Sequence, residues 1–302
     1  MLQSHACPPG WSRQPHGVPQ RHLREAVSGT ARTPGALAQG VARRQPKTDD
    51  RKGPKANNHQ ATRDQPAHTR IIPFHSQGSL MNTPADYIRA YMPERPVDTS
   101  RAALVMIDMQ YATGSRQGAL ARKLQADGST VGDYRFKRIE QLVMPNTLRL
   151  RAHFTRLQRP VLHVTIGAAH ADALDAPVHM RKLFVEFRNF VGSREHEIVD
   201  ELKPLPGEHV LRKTTIGAFA STGIDSLLRA LGCEQLYMTG VSTNMCVETT
   251  AREAADRGYL VTLVEDACGT THEDLHQNTM RNFQRLFGRV RSSAEALEEL
   301  QP

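Results

Sequence analysis

The chain has 302 residues, enough for one large or two small domains, with 39 Lys and Arg against 31 Asp and Glu and a formal net charge of +8. The charge is uneven: residues 1–80 hold 12 basic and 4 acidic residues, and the rest of the chain balances at 27 of each. The basic excess therefore says nothing about the body of the protein and excludes a nucleic-acid-binding core argued from charge, while no run approaches the ~18 apolar residues of a membrane span.

Residues 1–80 also hold 9 of the 18 prolines. Pro15, Pro19, Pro34, Pro46, Pro54 and Pro66 cut them into pieces too short to bury the surface that would offset their ordering entropy. The expectation is a disordered basic tail followed by a folded domain over residues 81–302. Three origins stay open for the tail: an extension upstream of a true start at Met81, a solvated tail with or without weak polyanion binding, or an Arg-rich transit peptide that lacks serine enrichment. No apolar signal-peptide segment is present, so a reducing cytosol is the expected compartment.

Residues 102–107 are a short, wholly apolar run ended by Asp108, which fits a strand covered on both faces. Residues 111–136 have no clear period and read as a long loop beside a site. Residues 139–157 carry a helical pattern, with Pro145 near its beginning. A second strand follows at 160–166, then a mixed, mostly loop stretch at 167–195. A third strand spans 207–213 and ends on Lys213; a short helix at 223–231 stops at Gly232. The fourth strand, 235–240, leads through a Gly-containing turn into a helix over 244–257, with Asn244 as cap. A fifth strand at 259–265, a helix at 271–286, a last short strand at 288–291 and a helix at 293–300 capped by Ser293 complete the pattern. Strands alternating with helices at this spacing predict an α/β fold: an open, doubly wound, mostly parallel sheet of about six strands with helices on both faces.

In such sheets ligands bind beyond the carboxyl ends of the strands. Asp108, Lys213 and the turn to Cys246 all lie there, on three different strands. A thiol at a helix N-terminus is where backbone N–H groups favour the thiolate. Asp108 can take its proton, and Lys213 can orient that carboxylate. N–H groups of the turn, those of Ser242 and Cys246, are the candidate oxyanion donors. Taken singly, Asp108 reads as a cap, Lys213 as a surface residue and Cys246 as a buried thiol; only their combination points to chemistry. The four cysteines, Cys7, Cys233, Cys246 and Cys268, match no zinc or disulfide spacing, and Cys233 and Cys268 read as buried structural thiols.

Residues 107–110 (Ile-Asp-Met-Gln), 212–213 with 218–219, 239–247 (Thr-Gly-Val-Ser-Thr-Asn-Met-Cys-Val) and 264–267 resemble the isochorismatase-like cysteine hydrolase superfamily, in the right order from about Ala102 to the end. The resemblance implies an Asp108–Lys213–Cys246 triad, a cis peptide at Val241–Ser242, and a homo-oligomer with no cofactor. It implies hydrolysis of a C–N bond in a small amide, ureide or carbamoyl compound through a Cys246 thioester. Isochorismatases proper cleave a vinyl ether and lack the cysteine, so Cys246 argues against that branch. A metal-assisted, nicotinamidase-like deamidase is the alternative enzyme; its ligands would come from His170, Asp172, Asp175 and His179, whose order and spacing differ from that pattern. A non-catalytic binding protein on the same fold is the alternative outside enzymology. Gln110 is expected to orient Asp108 or its loop and is the candidate substrate contact. Phe219 is the candidate pocket wall for substrate, although core packing is the better reading of it. His163 reads as a packed, hydrogen-bonded histidine, and the arginines of 149–159 as a solvated helix face.

Overall fold

The computed structural model describes Ile88, Tyr91 and residues 96–301. The expectations for residues 1–80, Cys7 included, lie outside the described residues. Six strands, β1 (Ala102–Ile107), β2 (Val161–Ile166), β3 (His209–Lys213), β4 (Gln235–Val241), β5 (Leu260–Gly269) and β6 (Arg289–Arg291), form one sheet in the order β3-β2-β1-β4-β5-β6. Every pairing is parallel. The doubly wound α/β architecture is therefore the one the alternation predicts.

All six residues of β1 are buried because alternate side chains serve opposite faces. Ala103, Val105 and Ile107 join α5 (Val178–Glu186), α6 (Ile224–Ala230), α7 (Glu248–Asp256) and α8 (Glu273–Leu286) in one core. Ala102, Leu104 and Met106 join α3 (Val131–Arg138), α4 (Met144–Arg156) and α9 (Ser293–Glu299) in the other. Each such branched or long apolar side chain contributes about 1.5–3 kcal/mol by leaving water. A strand between two cores has no polar face to show, so its sequence is an unbroken apolar run.

The helical layer departs from the sequence reading in four places. Residues 111–136 are not a loop but hold α1 (Tyr111–Gly114), α2 (Ala119–Ala126) and α3. Helix α3 runs on into a π turn, Ile139–Val143, and then α4, so Pro145 sits inside a continuous helical rod. Proline lacks an N–H and its ring crowds the carbonyl four residues back; the wide turn just before it accommodates both defects. Helix α5 occupies part of the presumed loop 167–195 and buries Met180 and Phe184. The cap of α9 is Ser292, not Ser293: its hydroxyl accepts from Glu295 N and the Glu295 carboxylate accepts from Ser292 N, a reciprocal capping box. No described helix is long and apolar enough to cross a membrane.

Candidate active site

At the end of β1 the chain turns sharply at Asp108, which adopts φ +53° while its N–H donates to Val164 O at 2.8 Å. Aspartate tolerates this left-handed region better than most residues. Two strands away β3 ends on Lys213, which is wholly buried. On the other side of β1 from β3, β4 approaches β1 so closely at Gly240 (φ +112°) that a Cβ there would lie 2.0 Å from Ile107 O. Only glycine fits that crossing, and it sits where the strand order reverses between β1 and β4, the switch point at which such sheets bind ligands. The Val241–Ser242 peptide that follows is cis, as the resemblance implies. A π turn, Thr243–Val247, then delivers Cys246. Asn244 does not cap this helix; its Oδ1 accepts from Thr270 Oγ1 at 2.6 Å, and Ser242 holds the cap position.

The three residues singled out from separate strands meet. Lys213 Nζ lies 3.0 Å from Asp108 Oδ2, with both side chains almost wholly buried. Its own hydrogen bond goes to Thr215 O at 3.1 Å, and among the described residues neither Asp108 oxygen has a well-aligned donor. Cys246, 8% exposed, faces both groups. Burial pushes the Asp108 carboxyl above the ordinary carboxylate range, against the pull of Lys213. Burial also works against the Lys213 ammonium, but the charges of Asp108 and Cys246 outweigh it and hold its pKa above the usual lysine value. Burial, with the Asp108 charge behind it, pushes the Cys246 thiol up to about 12. A helix-end thiolate standing free is therefore not the resting state. Asp108, whose own proton affinity is raised by burial, is the carboxylate that faces the thiol.

Met245 and Val247 both donate to the Ser242 carbonyl, at 3.0 and 3.2 Å. The turn is braced from behind by a buried chain in which Thr243 Oγ1 meets His276 Nδ1 at 3.0 Å and His276 Nε2 meets Arg138 Nη2 at 2.8 Å.

Other expectations fall differently. Gln110 spends its amide on the scaffold: Nε2 donates to Ile166 O (3.0 Å) and His196 O (2.8 Å), and Oε1 accepts from Ile166 N (2.7 Å). It staples the end of β2 to the 193–198 loop and has no donor left for a substrate. Phe219 is not brought to the site. It packs on Tyr259 and beneath the Arg257 guanidinium, beyond the far end of α7. His170, Asp172, Asp175 and His179 do not converge: Asp175 is held by Ala169 N and Arg212, and Asp172 caps Leu174 N. No three His, Cys, Asp or Glu side chains among the described residues are placed to hold a metal. Cys233 and Cys268 are buried, with pKa values pushed up to about 11 and about 12 by that burial.

Arg135, from the stretch read as a loop, is the residue that sequence reasoning missed. It is 2% exposed, donates from Nε to Thr113 O at 2.9 Å and from Nη1 to Ser242 Oγ at 2.7 Å, and acts electrostatically on Asp108 and Cys246.

A model of the isochorismatase domain matches residues 102–295, from the first residue of β1 into α9. The chain belongs to the isochorismatase family. Among curated members, the ureidoacrylate amidohydrolase RutB of Caulobacter segnis is 39% identical over 108 residues, 34% of this chain and 44% of that protein. RutB of Agrobacterium fabrum is 39% identical over 100 residues, 33% and 44% of the two chains. The chain thus spans less than half the length of these relatives. An isochorismatase family protein from Desulfovibrio vulgaris superposes with a TM-score of 0.56 at 27% identity, covering 66% of this chain and 98% of that one. The N-carbamoylsarcosine amidase of Thermoplasma acidophilum shares the fold, with a TM-score of 0.50, 24% identity and coverage of 64% and 96%.

Proposed function

We propose that this family member is a cysteine hydrolase that cleaves the C–N bond of a small amide, ureide or carbamoyl compound through a thioester on Cys246. The observation that carries the reading is the buried contact of Lys213 with Asp108, 3.0 Å, against which Cys246 is set at the switch point of the sheet. The amidohydrolase names of the curated relatives support the bond class.

Asp108 takes the Cys246 proton as the sulfur attacks the carbonyl carbon. The carbonyl electron pair moves onto oxygen, where the N–H groups of Ser242 and Cys246 receive it; loss of one such donor typically costs about 10²–10³-fold in rate. Lys213 keeps its proton throughout and holds the carboxylate in place. Asp108 then passes its proton to the departing nitrogen, the C–N bond breaks, and the acyl group stays on sulfur. Water attacks the thioester while Asp108 takes its proton, the C–S bond breaks, and the thiolate recovers the proton from Asp108. No proton or electron pair is left over, and no step calls for a group beyond these residues. The nucleophile must remain a thiol, which suits a reducing cytosol. Met245, beside the nucleophile, is 46% exposed, and we include self-association in the proposal.

Ammonia release from a panel of small amides, ureides and carbamoyl compounds tests the reading. Turnover of at least one member is expected, unchanged by exhaustive chelation and lost in Cys246→Ala. A Cys246→Ala variant with full activity would sink it; turnover lost to chelation would favour the metal-assisted alternative.

A further inference from the structure

The charges at the site do not balance. Cys246 and Asp108 share one proton, so together they carry one negative charge whichever of them holds it. Lys213 and Arg135 carry two positive charges. Burial pulls Arg135 down only to about 10, which leaves it protonated near neutral pH. Asp108 and Cys246 are the only ionisable groups among the described residues whose charge acts on Arg135, and Asp108 is already engaged by Lys213. No step of the proposed reaction changes this sum, because the thiolate, the oxyanion and the Asp108 carboxylate replace one another.

A buried guanidinium without a counter-ion is costly and is normally paired. The other buried arginine among the described residues, Arg151, has an acid: it is held two-pronged by Glu208. Arg135 has no acid, and its Nη2 has no hydrogen-bond partner among the described residues. Its Nη1 rests on the hydroxyl of Ser242, whose N–H is one of the two oxyanion donors of the proposal. The guanidinium without an acid thus rests on the side chain of the residue whose N–H is a proposed oxyanion donor.

We propose that Arg135 is the receptor for a carboxylate on the substrate, so that the enzyme selects amides or ureides bearing an acid group over their neutral counterparts. The inference rests on Cys246 being the reactive thiol of the hydrolase proposed above. The planar fork of an arginine suits a carboxylate, and Nε and Nη1, anchored on Thr113 O and Ser242 Oγ, fix its direction.

Iodoacetate and iodoacetamide test this without a known substrate, since they differ by one carboxylate and both alkylate thiols. The rates at Cys246 are followed by peptide mapping and referred to those of a small free thiol. The iodoacetate-to-iodoacetamide ratio is expected to exceed that of the free thiol by about tenfold or more, the yield of one charge-assisted contact. Arg135→Gln should return the ratio to the free-thiol value, and Arg135→Lys should keep part of the preference. A wild-type ratio equal to that of the free thiol, or one unmoved by Arg135→Gln, would overturn the proposal. If Arg135→Gln does not fold, wild-type protein decides: propionate should shield Cys246 from iodoacetamide and propionamide should not, and equal effects of the two would refute the receptor. Anion preference in a chain that hydrolyses no amide would leave the receptor standing and remove the hydrolase; hydrolysis without anion preference would do the reverse.

Discussion

Two buried ionic clusters lie on the same sheet and differ in how completely they are satisfied. In the first, Arg151 from α4 grips Glu208 with Nε to Oε1 at 2.8 Å and Nη2 to Oε2 at 2.6 Å, while His163 of β2 meets the same carboxylate at 2.8 Å and Leu205 N donates to it at 2.8 Å. Burial works against this carboxylate, but Arg151, Leu205 and His163 outweigh it and hold Glu208 down at about 2. In the second, Asp108 faces Lys213 at 3.0 Å with no aligned donor on either oxygen among the described residues, and burial carries its pKa up. The satisfied cluster is finished as structure. The unsatisfied one has proton affinity and charge to spend on something that arrives from outside, which is what separates a site from a strut.

The contrast makes opposite demands on activity and stability. Lys213→Met should lower kcat/KM by about 10²–10⁴-fold, because the Asp108 carboxylate loses the charge that keeps it an effective base. Its stability cost should stay small, since Asp108 can take up a proton instead of remaining a buried lone charge. Glu208→Gln should do the converse. It strands the Arg151 guanidinium, which typically costs about 3–5 kcal/mol, while activity stays within a few-fold of wild type. Chemical denaturation and steady-state rates on both variants check the pair. A Glu208→Gln variant that is stable but inactive would erase the distinction.

Much of this was legible because parallel strands end in punctuation. β1 is followed directly by Asp108, β3 ends on Lys213, and β4 carries Gly240 one residue before its end, so each strand end marks a candidate site residue or its neighbourhood. Arg135 was hidden for a physical reason. Helices α2 and α3 are eight residues each and neither has a side-chain cap, so neither start nor period stood out, and one arginine among many carried no mark. Arg151 was concealed similarly: a helix face rich in arginine looks solvated, and its partner Glu208 is 57 residues away. Phe219 divides the same way: as a core residue it was readable, and as a pocket wall it fails, because the chain leaves β3 and the ring packs on Tyr259 and Arg257 past the end of α7. The cap of α9 was readable, since Glu295 stands three residues after Ser292 and not after Ser293.

The finest expression of the contrast is the sign of its pH dependence. Glu208 has a folded pKa of about 2 against an ordinary 4.5, so it binds its proton less tightly when folded. Its contribution to stability is complete above about pH 4.5 and is lost as the pH falls toward 2. Asp108 is shifted the other way, above its ordinary 3.8, and binds its proton more tightly when folded. The folded state therefore gains stability from it as the pH falls through the folded pKa toward 3.8. Unfolding free energies of wild type, Asp108→Asn and Glu208→Gln, measured from pH 7 to pH 3, separate the two. The wild-type advantage over Glu208→Gln should shrink on acidification, and its advantage over Asp108→Asn should grow or its deficit close. Differences running the same way would mean that both carboxylates are held alike, and that Asp108 is one more structural anion, not a group poised to accept a proton.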